Sequence, residues 1–249
     1  MNYNPFSLDG KTILITGASS GIGKATAIEC SKLGAHVVIT GRNAARLQET
    51  FDQLEGDGHL QIIADLTNPE SLDQLVAEVP QLDGLVNNAG IGYNKPMAFI
   101  KQSDLDAMFY TNTFAPILLT KLIAKKKKLN KGASIVFTSS IAAMCETMGN
   151  AIYSMTKAAI ASFSKTCALE LGDKGIRVNS VHPGMVETKL IHGGAASEED
   201  LQNDMNNNYP LKRYGRPEEI AWAIAYLLSD ATAWVTGSQL VIDGGFHLK

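Results

Sequence analysis

A chain of 249 residues, of which 45% are hydrophobic and 19% charged, is long enough to bury a sizeable core. Glycine, proline and serine are scattered rather than collected into a linker, which favours a single domain over residues 1–249. A formal net charge of −3 argues against a nucleic-acid partner, and no apolar run approaches the roughly 20 residues that span a bilayer. Three cysteines without C-x-x-C spacing suggest neither a disulfide framework nor a metal site, so we expect a cytoplasmic protein without a metal.

Short β-rich runs alternate along the chain with longer segments of helical period. The strands are predicted at residues 12–16, 37–40, 60–64, 85–87, 135–138, 178–181 and 240–242. The helices are predicted at residues 22–33, 44–54, 72–79, 105–122, 152–171 and 218–228. Continuous apolar strands with helices between them predict a doubly wound α/β fold with a parallel, Rossmann-like sheet of seven strands.

Two segments stand apart from this alternation. Residues 191–209 are polar, weakly periodic and rich in glycine near their start, which is typical of a substrate lid on an α/β sheet. Lys125 to Lys128 follow an apolar stretch and are interpreted as a solvated helix end.

The first predicted strand leads directly into Thr16-Gly-Ala-Ser-Ser-Gly-Ile-Gly23, and a helix follows. Glycines let the backbone approach a pyrophosphate, while the start of a helix presents free N–H groups to the anion. A plain turn would tolerate the same residues, but the strand before and the helix after favour a dinucleotide site. The spacing is G-x-x-x-G-x-G, which differs from the general dinucleotide fingerprint.

The end of the second strand bears on the choice of coenzyme. An acidic residue there would hold the ribose of NAD, but the sequence has Arg42, whose guanidinium suits the 2′-phosphate of NADP. The alternative is that Arg42 is a solvated loop residue. Asp65, after the third strand, could meet the adenine edge or cap the helix that starts near Asn68.

Tyr153 and Lys157 lie one helical turn apart and share a face of the same predicted helix. A nearby ammonium would lower the pKa of the phenol toward the working range, so that Tyr153 could exchange a proton with an alkoxide or alcohol. Ser140, after the fifth strand, could hold the substrate oxygen, and Asn112 could hold a water that links Lys157 to solvent. Each residue alone could be structural, with Tyr153 in packing, Lys157 exposed and Ser140 a cap.

Taken in order, these motifs resemble the single-domain short-chain dehydrogenase/reductase family over nearly the whole chain. The resemblance implies a catalytic tetrad of Asn112, Ser140, Tyr153 and Lys157. It also matches the turn Asn87-Asn-Ala-Gly90 and the segment Pro183-Gly-Met-Val-Glu-Thr188 to cofactor-facing positions. The cofactor contacts that it implies are Gly17, Ser19, Ser20, Gly21, Ile22, Gly23, Arg42, Asp65, Leu66, Asn87, Ala89, Gly90, Tyr153, Lys157, Pro183, Gly184, Val186 and Thr188.

The resemblance further implies a homotetramer and is strongest toward 3-oxoacyl-(acyl-carrier-protein) reductases. Lys131 and Lys174 occupy positions where such reductases often carry basic residues that face an acidic carrier protein. Residues 145–148 depart from the small, glycine-rich stretch of many of those enzymes. A free ketone, sugar, polyol or steroid therefore stays open as substrate, as does a second class of function, a non-catalytic NADP-binding sensor.

Overall fold

Runs of β-branched and aliphatic residues form the strands, because such side chains pack well on a sheet that is covered on both faces. The computed structural model describes residues 3–188 and 197–248 of the chain. Within these ranges the strands are β1 (Thr12–Thr16), β2 (His36–Gly41), β3 (Leu60–Ile63), β4 (Leu82–Asn87), β5 (Leu129–Thr138), β6 (Arg177–Pro183) and β7 (Gln239–Ile242).

Helices connect these strands. They are α1 (Gly21–Lys32), α2 (Ala44–Phe51), α3 (Pro69–Glu78), α4 (Gln102–Phe109), α5 (Ala115–Lys125), α6 (Ala151–Leu171), α7 (Glu198–Asn208) and α8 (Pro217–Leu228). A π-helical turn, Tyr110–Phe114, joins α4 to α5.

The strands form one sheet in the order β3-β2-β1-β4-β5-β6-β7, and every neighbouring pair is parallel. Side chains alternate between its faces, so that Leu14 lies in one hydrophobic core while Ile13 and Ile15 lie in the other. The first core includes residues of α3, α5 and α6, and the second includes residues of α1 and α8. The doubly wound, seven-stranded parallel fold predicted from the sequence is therefore confirmed.

Two predicted segments differ from what the structure shows. The single helix predicted over residues 105–122 is interrupted by the π turn. Pro116 lacks an N–H and cannot donate to the carbonyl of Asn112, which removes an ordinary helical bond at this point, and the Ala115 N–H donates to Tyr110 O instead.

The weakly periodic lid segment predicted at 191–209 contains a regular helix, α7, in its second half. Ser197 and Asp200 form a reciprocal capping box at its start, and no α7 residue is buried. Residues 191–196, the first part of the predicted lid, lie outside the described residues.

The run from Lys125 to Lys128 lies at a helix end, as predicted, but the side chain of Lys128 binds the end of a different helix. Helix α5 ends at Lys125, while Lys128 donates to the carbonyls of Ala77 (3.3 Å) and Val79 (2.7 Å) at the end of α3. A cation there complements the negative end of the α3 dipole.

Candidate active site

The carboxyl ends of the parallel strands meet at one edge of the sheet, and most of the predicted site residues follow those ends. The chain enters the sheet at β1, an inner strand, adds β2 and β3 on one side of it, and crosses back to place β4 on its other side. The loops after β1 and β4 therefore leave in opposite directions and open a crevice between them, which is where ligands bind in folds of this kind.

Thr16 and Asn88 fasten the two loops of this crevice together. The Thr16 Oγ1 accepts hydrogen bonds from the backbone N–H groups of Asn88 (2.9 Å) and Ala89 (3.0 Å). In return, Asn88 Nδ2 donates to the Thr16 carbonyl at 3.1 Å. These bonds fix the start of the glycine loop against the turn that follows β4.

The glycines of the loop have no room for side chains. A methyl group built on Gly17 would stand 2.8 Å from the Ala89 Cα, and one on Gly23 would stand 2.5 Å from Asn88 Nδ2 and collide with the Gly17 carbonyl. Gly17 also has a φ of +66° and Gly21 a φ of +54°, a region that side chains disfavour. Part of the glycine pattern is therefore explained by packing between the two loops.

The same loop leaves room for an anion at the start of α1. Ser20 precedes that helix in an extended conformation, and its side chain makes no capping hydrogen bond, so the first N–H groups of α1 stay open. A methyl on Gly21 would lie 3.3 Å from the Thr188 methyl, which places the segment after β6 directly over this point. These features fit the pyrophosphate of a dinucleotide.

A cleft of about 570 Å³ continues from this crevice toward the ends of β2 and β3, and its walls include Arg42, Thr67 and Ile91. Ser19 Oγ lies 3.4 Å from the point that a methyl on Gly41 would occupy, so Ser19 borders the same end of β2 as Arg42. Arg42 is exposed and free to turn toward a ligand in this cleft.

Asp65 does not cap α3, which was one of the two roles left open by the sequence. Asn68 caps that helix by accepting from Ser71 N, whereas Asp65 Oδ1 accepts from the backbone and hydroxyl of Thr67. Burial opposes ionisation of Asp65, but the Thr67 hydrogen bonds and the Arg42 charge outweigh it and lower the pKa of the carboxyl. Asp65 is thus ionised and interacts with the charge of Arg42, while Leu66 packs partly buried against the core.

Tyr153 and Lys157 lie together on α6, and the Lys157 Nζ is 5.6 Å from the centre of the Tyr153 ring. Lys157 is only 5% exposed, which rules out a solvated helix residue. Its Nζ donates to the Thr138 carbonyl at 2.8 Å, at the end of β5. The ammonium is therefore held in place by the strand that leads to Ser140.

The three residues that end β5 and follow it form a platform for the α6 pair. Thr138 holds the Lys157 ammonium, and the Ser139 hydroxyl donates to the Lys157 backbone carbonyl at 2.9 Å. The Ser140 hydroxyl accepts from Ala142 N at 3.1 Å and also hydrogen-bonds with the Tyr153 side chain. Ser140 is both a turn cap and a partner of Tyr153.

Burial dominates the pKa values of this pair. Burial raises the pKa of the Tyr153 phenol, and the Ser140 hydrogen bond only partly offsets the increase. Burial also lowers the pKa of Lys157 to about 8. The sequence predicted a lowered pKa for Tyr153, but in the structure the desolvation of the phenol raises it.

Asn112 lies in the π turn, buried, with its amide facing the loop after β4. Its Oδ1 accepts from Ile91 N and its Nδ2 donates to Ile91 O, both at 2.8 Å. A methyl on Gly90 would stand 3.3 Å from Asn112 Oδ1 and 3.5 Å from Lys157 Nζ. Gly90 therefore brings the amide and the ammonium close together, and the π turn directs Asn112 to that point.

Asn87, at the end of β4, anchors the same region from inside the sheet. Its Nδ2 donates to Thr120 Oγ1 at 3.0 Å, while its buried Oδ1 has no partner in the described structure. An unpaired buried oxygen at the crevice is consistent with a partner supplied by a ligand or water.

The segment after β6 closes the site from the other side. A methyl on Gly184 would stand 2.9 Å from the Asp243 Cα, and Val186 forms an isolated bridge with Gly215. Pro183 is the last residue of β6, where it pairs with Ile242. Thr188 is the last described residue before the gap and lies against Gly21.

The structure thus gathers the four predicted catalytic residues on neighbouring loops and helices, next to the glycine cradle. Two residues that position these four were not predicted from the sequence. The Ile91 backbone hydrogen-bonds to the Asn112 amide, and His182 hydrogen-bonds to the Ser140 carbonyl. A backbone contact leaves no sequence signal. A histidine near the end of a predicted inner strand is a readable signal, since its burial demands partners.

Within residues 3–188 and 197–248, no cluster of three or more His, Cys, Asp or Glu could hold a metal ion. Cys30, Cys145 and Cys167 are free thiols. In the same ranges, no helix combines the length and the apolar character needed to cross a membrane.

The fold and site define the class of oxidoreductases that bind a dinucleotide at the carboxyl edge of a parallel sheet and act on a carbonyl or an alcohol. A family model described as enoyl-(acyl carrier protein) reductase matches residues 17–247. A solved structure described as a short chain dehydrogenase/reductase family protein superimposes with a TM-score of 0.85 at 36% identity, covering 97% of this chain and 99% of that one. The chain belongs to the short-chain dehydrogenase/reductase family.

Relatives of comparable similarity carry different substrate names. The chain is 35% identical to 3-oxoacyl-[acyl-carrier-protein] reductase FabG of Rickettsia bellii, over 96% of this chain and 97% of that protein. It is 37% identical to L-xylulose reductase of Caenorhabditis elegans, over 97% of each chain. It is 33% identical to 7alpha-hydroxysteroid dehydrogenase of Escherichia coli, over 98% of this chain and 97% of that one. Overall similarity therefore identifies the family and the reaction class.

Proposed function

We propose that this protein is an NADP(H)-dependent oxidoreductase that interconverts a carbonyl and a secondary alcohol, with a 3-oxoacyl thioester on acyl carrier protein as its preferred substrate. The observation that carries the reaction type is the contact of Ser140 with Tyr153, beside a buried Lys157 and next to the glycine cradle. We place the protein in the cytoplasm, since its three free thiols suit a reducing compartment.

In the reductive direction, the substrate oxygen lies between the Ser140 and Tyr153 hydroxyls. NADPH, when bound in the crevice, supplies the hydride that reaches the carbonyl carbon. As negative charge develops on the oxygen, Tyr153 donates its proton and Ser140 donates a hydrogen bond. Desolvation raises the pKa of the phenol and keeps Tyr153 protonated at neutral pH, which is the state that a proton donor requires.

Lys157 serves the same step by its charge. Once Tyr153 has given up its proton, the phenolate lies in a desolvated position, with the Lys157 ammonium 5.6 Å from the centre of its ring. A pKa of about 8 leaves Lys157 mostly charged at neutral pH but able to release a proton toward Tyr153. Asn112, held by Ile91 next to this ammonium, positions the route by which solvent restores that proton.

The NADP(H) preference is supported by the residues that follow β2 and β3, at the cleft whose walls include Arg42 and Thr67. Arg42 follows β2 directly, and the position before it is Gly41, so no carboxylate occupies the place where an NAD ribose is held. The guanidinium can meet a 2′-phosphate with two hydrogen bonds. The Asp65 carboxylate already accepts hydrogen bonds from Thr67 and is stabilised by the Arg42 charge. Arg42 is therefore the group that suits an added phosphate.

The thioester preference is supported by two surface features. Lys131 and Lys174 are both exposed, and each precedes a glycine. A methyl built on Gly175 would stand 3.7 Å from the Gly132 nitrogen, so the two backbone segments that carry these lysines lie near one another. Exposed cations on neighbouring segments suit an acidic carrier protein. The similarity to the Rickettsia reductase is consistent with this choice.

A free carbonyl compound is the second candidate, and the loops around the site favour it. The backbone N–H of Lys95 donates to Gly149 O at 2.7 Å, which joins the loop of residues 93–97 to that of residues 144–150. These loops carry the exposed apolar side chains of Met97, Met144 and Met148. Flexible methionines accept apolar ligands of many shapes, including a steroid.

The decisive experiment follows NADPH absorbance with acetoacetyl thioesters, on carrier protein and on a small thiol, and then with sugars, polyols and steroid ketones. We expect turnover of at least one carbonyl, with the carrier-bound thioester the best. Each substrate is repeated with NADH to test the coenzyme preference. A sugar or steroid as the best substrate would contradict the thioester assignment and support the second candidate.

Tyr153→Phe separates an enzyme from a non-catalytic NADP-binding sensor. Loss of the hydroxyl should lower kcat by a factor of about 10² to 10⁴ and leave NADPH affinity nearly unchanged, because the ring still fills its place. Calorimetric titration with NADPH provides the binding control. Tight NADPH binding with no turnover of any carbonyl by the wild type would favour the sensor.

A further inference from the structure

His182 is a buried, titratable side chain that the proposed reaction does not use. It lies near the end of β6 with no exposed surface, and its backbone pairs with Val241 of β7. The ring is held at both nitrogens, because Nδ1 is 3.1 Å from the Ser140 carbonyl oxygen and Nε2 is 2.9 Å from the Ser180 hydroxyl.

The partners of the ring determine which nitrogen carries the proton. A carbonyl oxygen can only accept, so Nδ1 must be protonated and donate to Ser140 O. In the neutral ring Nε2 then accepts from the Ser180 hydroxyl. Burial favours the neutral form, and the charged groups that act on the ring, Lys157 and Lys165 of α6, also lower its pKa.

We propose that His182 is a positioning residue, which fixes the Ser140 peptide to the sheet and thereby holds the Ser140 hydroxyl against Tyr153. The Ser140 carbonyl accepts from Ala143 N at 3.1 Å, within its own turn, and from His182 at 3.1 Å, across the sheet. The backbone N–H of Ser139 donates to Val181 O at 2.9 Å, so the residue before Ser140 is already joined to β6. The bond from His182 extends this attachment to the carbonyl of Ser140 itself, at the end of β6 that leads into residues 184–188.

The inference rests on the proposed role of Tyr153, but a pair of variants can test it without turnover. In His182→Asn, the amide nitrogen is as many bonds from the Cα as Nδ1 is, so this variant keeps the donor to Ser140. In His182→Gln, the longer amide reaches the place of Nε2, so this variant keeps the contact with Ser180 and loses the one with Ser140. Both are polar and bury one amide, which makes their folding costs comparable.

The first readout is the ionisation of Tyr153, followed by NMR on protein labelled at the tyrosine ζ carbon, with Tyr153→Phe to assign the signal. The Ser140 contact lowers the pKa of Tyr153 in the structure. We expect the Tyr153 titration of His182→Gln to move to higher pH than that of the wild type, while His182→Asn titrates like the wild type. Equal titration of all three proteins would overturn the proposal.

The second readout is the kinetics of whichever carbonyl the wild type reduces. Displacement of Ser140 should lower kcat of His182→Gln about tenfold or more, with KM for NADPH unchanged and with His182→Asn close to the wild type. If no carbonyl is reduced, the proposed function fails, and the Tyr153 titration still decides the role of His182.

Ser134→Ala is the matched control for a general loss of stability. Ser134 also lies buried in this sheet and donates one hydrogen bond to a carbonyl, Leu227 O at 2.8 Å, but it lies in the middle of β5, six residues before Ser140. We expect it to lower the melting temperature without changing kcat or the Tyr153 titration. If His182→Gln behaves in the same way, or if His182→Asn fails to restore both readouts, His182 has only a structural role.

Discussion

Tyr153 and Lys157 are both harder to ionise in the folded protein than in water, and this is the central residue-scale property of the site. Burial raises the pKa of the phenol above its ordinary value of 10.0 and lowers that of the ammonium from 10.5 to about 8, so the two values move apart. At neutral pH the phenol therefore holds its proton firmly, while the ammonium is close to its own pKa. Desolvation is the main cause of both shifts.

Lys157 also makes the stability of the protein depend on pH. A pKa lowered from 10.5 to about 8 corresponds to a cost of about 3 kcal/mol for keeping the buried group charged. Below pH 8 this cost is fully present, and between pH 8 and pH 10.5 the unfolded chain binds more protons than the folded one. Stability therefore rises with pH across that window.

Lys157→Met removes this contribution and fills a similar volume. We expect the variant to gain stability over the wild type at pH of about 7 and to lose most of that advantage by pH of about 9.5. Urea unfolding of the cofactor-free proteins at several pH values measures the difference. Tyr153 stays protonated across this range because burial raises its pKa, so a difference that is independent of pH would contradict the assignment.

Arg42 is the residue on which coenzyme choice depends. Arg42→Ala should weaken NADPH binding by about 1.5 to 3 kcal/mol, the range for a hydrogen bond to a charged group, and should hardly change NADH binding. Calorimetry with each coenzyme tests this. An equal loss for both would show that the guanidinium supports the loop and does not contact a 2′-phosphate.

At the scale of elements, the strands and most helices could be predicted from the sequence, because apolar runs and helical periods determine them. The interruption of the helix at residues 110–114 could not be predicted from the sequence. It arises because Pro116 has no N–H to donate and because the Ile91 backbone holds the Asn112 amide by hydrogen bonds. Helix α7 was missed although its capping box, Ser197 with Asp200, is visible in the sequence. Its polar surface, which buries nothing, hid the helical period.

The candidate site also has residues that could be predicted from the sequence and residues that could not. Tyr153, Lys157 and the glycine loop are recognisable because their spacing along one element carries the chemistry. Asn88 and His182 act across elements that are far apart in sequence, and their roles depend on the register of β1 with β4 and of β5 with β6. Register is a property of the folded sheet, so a single sequence does not display these contacts.

The contact between the glycine loop and the turn after β4 predicts the effect of Gly23→Ala. The added methyl meets Asn88 Nδ2 and the Gly17 carbonyl, so we expect a loss of about 1 to 3 kcal/mol in stability together with weakened NADPH binding. Unfolding in urea and calorimetry measure the two effects.

Gly172→Ala is the matched substitution for that experiment. A methyl at Gly172 meets nothing within 4 Å, and its φ of −62° suits any residue. This variant should be neutral or gain about 0.5 kcal/mol through a less flexible unfolded chain. Similar losses in the two variants would show that packing against Asn88 is not the cause.

At the scale of the whole molecule, charge on one surface should decide how a carrier protein docks. The double variant Lys131→Glu, Lys174→Glu should raise KM for a carrier-bound 3-oxoacyl thioester about fivefold or more and leave KM for the same acyl group on a small thiol unchanged. The small thioester is the internal control. An equal change for both substrates would place the effect in the active site.

An exposed apolar stripe bears on assembly, which stays a prediction from the family resemblance. Tyr110, Phe114 and Leu118 follow at intervals of four residues along the π turn and α5, and each is at least 40% exposed. We expect the protein to be tetrameric in solution, and we expect Phe114→Glu to lower its mass by light scattering. A monomeric wild type would show that the stripe has another use.

The order of the strands also bears on how the enzyme is made by the ribosome. Strands β2 and β3 extend the sheet on one side of β1, and β4 is then added on the other side of β1. Strands β5, β6 and β7 each join beside the strand synthesised before them. The part of the sheet that carries the glycine loop and Arg42, strands β1 to β4, can therefore assemble while translation continues. Pro183 and Gly184 reach their final places only against Ile242, so a nascent chain gains its capacity for hydride transfer late, after β7 has emerged.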